Sequence, residues 1–174
     1  MKQIGCRVTG VIRRIGAIAL LFNLGLGFWL AIASPAVAAL HTYPEGTDQV
    51  MVRSLQTLRD ETDRAWQLAL YKRLKAGNLV DLRLRLVGFP GAVSFSHAQP
   101  LAIALGAGEM EVAPDVTPTD FSPNVGEYDL RQVMALLDTA VPIRLMLPIQ
   151  PAQTTLLIPP FAMREWQQVS RWEP

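Results

Sequence analysis

The clearest pattern in the chain is a strict alternation between Leu79 and Val87, with Leu82, Leu84 and Leu86 on one side and Asp81, Arg83 and Arg85 on the other. A period of two is that of a pleated strand with one face in the core. The segment is therefore predicted to be a β-strand, leucines inward and arginines toward solvent, where replacing Arg85 by Ser should cost about 0.5 kcal/mol or less. The run Ala65 to Leu74 has the same period, Trp66, Leu68 and Leu70 alternating with Gln67, Ala69 and Tyr71. Its Ala, Leu, Gln, Lys and Arg are also good helix formers, but the alternation favours a strand. It forms a β-hairpin with Val52 to Leu58 across the charged turn Arg59 to Asp63, and Lys75-Ala76-Gly77-Asn78 supplies the turn that follows.

Farther on, Gly88-Phe89-Pro90-Gly91 breaks the strongest strand. Leu101, Ile103 and Leu105 alternate with Ala102 and Ala104, and Glu109 to Val112 is read as a short returning strand. Residues 113–126 hold three prolines and no periodicity, the pattern of a long loop. Leu130, Val133, Met134 and Leu137 are spaced by three and four, which predicts an amphipathic helix over 129–138. Ile143, Leu145, Leu147 and Ile149 predict a strand that Thr154 to Ile158 can pair with, and Phe161 to Val169 suggests a terminal helix, with Phe161, Glu165 and Gln168 or Ala162, Trp166 and Val169 along its stripes. The polar stretch 39–49 reads as a loosely ordered lead-in. Strands in hairpin succession with one or two helices make an α+β fold around a mainly antiparallel sheet, which can curl as a half-barrel.

The N-terminus follows different rules. Lys2, Arg7, Arg13 and Arg14 precede residues 15–33, a 19-residue apolar run without a charge, and Ser34-Pro35 and the small residues of Ala36-Val37-Ala38 follow. This order of basic, apolar and small residues is that of an export signal cut before Ala39. The run is also long enough to cross a bilayer as a retained anchor, so residues 1–38 are a signal peptide or a membrane anchor and 39–174 form one globular domain outside the cytoplasm. Half of the 174 residues are hydrophobic, enough for a core and against disorder. The whole chain carries a formal +1, which gives no reason to expect nucleic acid. Beyond residue 38 the 12 basic and 15 acidic residues leave −3 and no cysteine, since Cys6 is the only one.

Candidate chemistry is sparse. His97, near Ser94 and Ser96, lacks the glycine-flanked elbow of a nucleophilic serine. Asp60, Glu61 and Asp63 lack the spacing of a calcium loop and read as a solvated hairpin turn. Glu109 and Glu111, with Asp115 beyond, read as a charged strand edge. No catalytic, metal or cofactor residues follow. The remaining candidates make a surface: Arg83, Arg85 and Arg144, with Arg73 and Lys72 as further members, as a cationic patch for an anionic lipid or acidic partner, and Phe89, Trp166 and Trp172 with Phe161 as aromatic anchors.

Several segments between Leu55 and Trp172 resemble a family of short exported cyanobacterial proteins known only as a domain of unknown function: Thr57-Leu58-Arg59-Asp60, Ala65-Trp66-Gln67-Leu68, the stretch Leu82 to Gly91, Gln99-Pro100-Leu101, Tyr128-Asp129-Leu130 and Ile158-Pro159-Pro160-Phe161 with Glu165-Trp166. The resemblance implies export to the thylakoid lumen or the periplasm and transfers no activity. The expected function is that of a noncatalytic accessory or assembly protein on a membrane complex, the alternative a module for an apolar ligand or lipid. Intact-mass measurement of the native protein should find a chain beginning at Ala39; residues 1–38 still attached would establish the anchored alternative.

Overall fold

The computed structural model describes residues 41–105, 108–137 and 141–174. The expected signal peptide or anchor, and the cut expected before Ala39, lie outside the described residues. Strands β1 (His41–Gly46), β2 (Gln49–Arg59), β3 (Ala65–Lys75), β4 (Asn78–Val87) and β8 (Val125–Asp129) form an antiparallel five-stranded sheet in the order β1-β2-β3-β4-β8. A second antiparallel sheet has the order β11-β9-β6-β7, from β6 (Leu101–Ala104), β7 (Met110–Ala113), β9 (Ile143–Leu147) and β11 (Thr154–Ile158). The short pair β5 (Ser94–Phe95) and β10 (Ile149–Gln150) makes a third. With the C-terminal helix α1 (Pro160–Arg171), this is an α+β fold of mostly antiparallel sheet, and the sheets do not close into a barrel.

The pleat does what the alternation requires. Trp66, Leu68 and Leu70 of β3 and Leu82, Leu84 and Leu86 of β4 are buried, in one apolar cluster with Leu101, Ile103, Leu145, Leu156 and Ile158 of the second sheet. The hairpin from β3 to β4 turns through Ala76 and Gly77, both at positive φ, a conformation that matches strand twist and is open to glycine without strain. Helix α1 begins with Pro160 in its first turn, where the missing N–H removes no helical bond. It buries Ala162, Met163, Trp166 and Val169, one of the two expected stripes with Met163 added. Its C-terminal end is tied to the sheet by Lys72 of β3, whose Nζ donates to the carbonyls of Ser170 and Trp172 at 2.7 and 2.8 Å.

Three expectations need correction. The lead-in is not loose: residues 41–46 form β1, paired with β2 from His41 opposite Arg53 to Gly46 opposite Gln49. The amphipathic helix at 129–138 does not form among its described residues. Asp129 ends β8 instead, the Leu130 N–H still bonds to the Leu82 carbonyl, and only a 3₁₀ turn at Met134–Leu136 follows. Leu130, Val133, Met134 and Leu137 are nevertheless buried, so the spacing marked a core-facing segment that the sheet ladder holds in another conformation. Finally, the loop 113–126 ends in the start of β8, and Gly126 there lets the strand approach Phe95: a Cβ would stand 2.8 Å from that ring.

Leu84→Asp should lower stability by several kcal/mol, comparable with the whole stability of a small domain, because its carboxylate would be buried without a partner. Gln67→Ser, at an exposed position of β3, should change it by about 0.5 kcal/mol or less. Thermal melts of both variants check this, and equal melting temperatures would refute the assignment of faces.

Candidate arginine cleft

The side of the five-stranded sheet turned away from the core carries a cross-strand grid. Arg53 lies opposite Tyr71, and Tyr71 opposite Arg83. In the neighbouring row, Leu55, Ala69, Arg85 and Glu127 stand side by side across β2, β3, β4 and β8, and in the row on the other side Met51, Arg73 and Asp81 do so. Residues 114–117 run along the free edge of β8: the Val116 N–H bonds to the Glu127 carbonyl, and the Asp129 N–H to that of Pro114. This edge contact brings Pro118 and Phe121 over the face. The result is a cleft of about 360 Å³, bounded by Glu45, Met51 and Arg53 at one side and by Pro118, Phe121 and Glu127 at the other.

Glu127 is its electrostatic centre. The residue is 1% exposed, and its carboxylate accepts hydrogen bonds from the Tyr71 hydroxyl at 2.5 Å, Arg83 Nη1 at 2.9 Å and Arg85 Nε at 3.0 Å. Burial raises the pKa of such a carboxyl, but the bonds from Tyr71, Arg83 and Arg85 outweigh it and hold Glu127 below its ordinary value of 4.5. Burial, and then the hydrogen bond to Glu127 and its charge, pushes the Tyr71 phenol up to about 12. Asp81 forms the second pairing centre, 2.6 Å from Arg73 Nη2 and 3.6 Å from Arg83 Nε. The Arg85 guanidinium lies 4.8 Å from the centre of the Phe121 ring and 5.6 Å from that of Tyr71. Both are within cation–π range.

The candidate surface is thus divided by the fold. Arg83 and Arg85 do share one face, but they are half-buried and ion-paired rather than free in solvent, so Arg85→Ser would leave Glu127 short of a donor and cost more than an exposed substitution. Arg144 is exposed on the second sheet, opposite Leu157 and Ala104, and does not join them. Trp166 is 1% exposed and belongs to the core, Trp172 packs against that core, and Phe89 is 75% exposed in the turn after β4. Arg73 does join Arg83 and Arg85 in the cleft, whereas Lys72 lies on the opposite face, buried beneath the end of α1. Sequence reasoning missed Arg53, Tyr71 and Glu127 as members of the same site. The signal for Glu127 was the alternation Gly126, Tyr128, Leu130 against Glu127, Asp129, obscured by the helical spacing that begins at Leu130.

The other candidates resolve locally. Asp60 is 7% exposed, not solvated. Its carboxylate accepts from the Thr62 and Arg64 backbone N–H groups, the Thr62 hydroxyl, Arg64 Nε and the indole of Trp66. Burial raises its pKa, yet the bonds from Trp66 and Thr62 prevail and hold it well below the usual carboxylate range. His97 Nδ1 lies 3.6 Å from Asp115, whose carboxylate also accepts from the backbone N–H groups of Ala98 and Thr117 and from the Thr117 hydroxyl. No group of three or more His, Cys, Asp or Glu suited to a metal ion occurs among the described residues. None of their helices is long and apolar enough to cross a membrane.

Residues 38–169 match the model of a family described as "Protein of unknown function (DUF3122)", and the chain belongs to that family. No curated protein and no solved structure matches the chain.

Because Asp60 and Glu127 have folded pKa values below their ordinary 3.8 and 4.5, the stability they contribute is complete above those values and is lost as pH falls toward the depressed folded ones. The melting temperature should be level from pH 7 to about 5.5 and fall below about pH 4.5. Glu127→Gln should make that acid fall shallower, as thermal melts across pH would show; an unchanged acid profile would contradict the role given to Glu127.

Proposed function

We propose that this family member is an exported, noncatalytic accessory protein of a membrane-associated complex, and that it recognises an acidic group of its partner through the arginine cleft. The observation that carries the reading is a concentration of charge. Beyond residue 38 the chain is net negative, yet four of its twelve basic residues, Arg53, Arg73, Arg83 and Arg85, line one cleft. Complementary charge of this kind sets partner choice and encounter rate. The titrating groups support a binding role over acid–base chemistry: an effective general acid or base needs a pKa near the working pH, whereas Tyr71 keeps its proton to about 12 and Glu127 stays ionised. Export rests on residues 1–38, and the thylakoid lumen or periplasm is the setting implied by the resemblance to exported cyanobacterial proteins.

The alternative, a module for a small apolar ligand or lipid, is favoured by a second cavity of about 390 Å³ among Gly91, Ala92, Val93, Pro123 and Pro151. The space between the two large sheets is filled by side chains such as Leu84, Leu86, Leu145 and Ile103, so such a ligand would occupy that cavity rather than the sheet interior.

Tagged protein captured from cross-linked, solubilised membranes should retain the subunits of one membrane complex. Arg53→Glu should deplete them about tenfold, the cost of one well-placed charge pair, while Arg144→Glu on the other sheet leaves them. Recovery of the tagged protein alone would overturn the reading.

A further inference from the structure

The charges in the cleft do not balance, and the imbalance has a location. Glu127 is shared by Arg83 and Arg85, and Asp81 by Arg73 and Arg83. Arg53 has no carboxylate within ion-pair distance among the described residues. Its guanidinium donates to the Tyr43 hydroxyl at 2.9 Å and lies 4.3 Å from the centre of that ring, while its Nε–H is shielded from solvent and without an acceptor. The floor therefore holds four guanidinium groups against two carboxylates, and Glu45 at the rim supplies one more negative charge. A surface arginine stacked on a tyrosine would face solvent; Arg53 instead borders a hollow.

The hollow has a cause in the sequence. Ala69 stands between Leu55 and Arg85 in its row, and its short side chain leaves open the space that Tyr71 fills one row away. Met51, Ala69, Pro118 and Phe121 supply apolar lining beside the arginines. At about 360 Å³ the cleft lies at the small end of the range of roughly 300–1,000 Å³ for small-molecule sites. Arginine forks match planar or tetrahedral oxyanions in bidentate geometry. Glu127, with three side chains donating to it, fixes Arg83 and Arg85, and Asp81 takes the Nε and Nη2 of Arg73, so that Arg53 and the Nη1 of Arg73 are left to face an incoming group.

We infer that the cleft is a binding site for a compact oxyanion, a phosphate or carboxylate carried on a small apolar body, with Arg53 as its first contact and Arg73 as its second. The inference rests on the proposed use of the cleft for acidic groups and narrows it to a ligand class. The oxyanion has two sources, a soluble small molecule or the headgroup of an anionic lipid, and both present the same chemistry to Arg53.

The test is calorimetric titration of the purified full chain with phenyl phosphate. Saturable binding should weaken as salt rises and fall about tenfold or more in Arg53→Met, which keeps the apolar stem. Arg53→Lys, which retains the charge without the fork, should fall between, and Arg144→Met should bind as the parent does. Failure of phenyl phosphate to bind, or binding that Arg53→Met leaves unchanged in a variant with an unaltered melting temperature, overturns the inference. Sedimentation with phosphatidylglycerol and phosphatidylcholine vesicles separates the sources. Binding to phosphatidylglycerol that phenyl phosphate displaces and Arg53→Met removes assigns the oxyanion to a lipid. Phenyl phosphate binding without Arg53-dependent vesicle binding assigns it to a soluble ligand. If Arg53→Glu abolishes capture of the membrane complex but phenyl phosphate does not bind, the accessory reading stands and this inference falls. If phenyl phosphate binds and the tagged protein is recovered alone, the reverse holds.

Discussion

The pairing of β3 with β4 is the constraint on which the other features depend. Its register sets Leu68 opposite Leu86 and Leu70 opposite Leu84 on one face, and Ala69 opposite Arg85 and Tyr71 opposite Arg83 on the other. A slip of one residue would exchange the two faces, sending arginines into the core and leucines into the cleft. Core and cleft are thus two products of one register, and a substitution that disturbs it must disturb both.

What could be read from the sequence was what is local. The alternation in β3 and β4 needs only neighbouring residues, and so do the hairpin turn at Ala76-Gly77 and the buried stripe of α1. The errors occur where distant parts decide. Asp60 looks like the tip of a charged turn, and it is buried because the Trp66 indole covers it and Thr154, ninety-four residues on, comes close. The segment from Leu130 has helical spacing, but Leu82 continues the ladder into it and fixes its first residues. Arg83 and Arg85 look solvent-facing until β8 brings Glu127 alongside β4. The role of Arg53 is not visible at all without the register that places it beside Tyr71.

The fold also places ionised groups where hydrophobic residues are usual. Asp60, Glu127 and Lys72 are all buried or nearly so, and each joins elements far apart in the chain: Glu127 ties β8 to β3 and β4, and Lys72 ties the end of α1 to β3. Pairs of this kind add little net stability compared with apolar contacts of the same size, whereas removing one partner is costly. Their effect here is to allow one arrangement of the strands and the helix and to penalise neighbouring ones.

Order along the chain adds a temporal aspect to the β4–β8 pairing. Strands β1 to β4 are consecutive, and their hairpins can close as soon as residue 87 is available, whereas Glu127 lies forty residues beyond Val87. For a chain emerging N-terminus first, the half-built sheet presents Arg53, Arg73, Arg83 and Arg85 with only Asp81 to offset them on its floor. The late arrival of one glutamate then changes the floor from four guanidinium groups against one carboxylate to four against two, and it leaves Arg53 as the guanidinium without a carboxylate among the described residues. Until that moment the half-built sheet carries its greatest excess of positive charge, the kind of face an acidic holding factor would recognise.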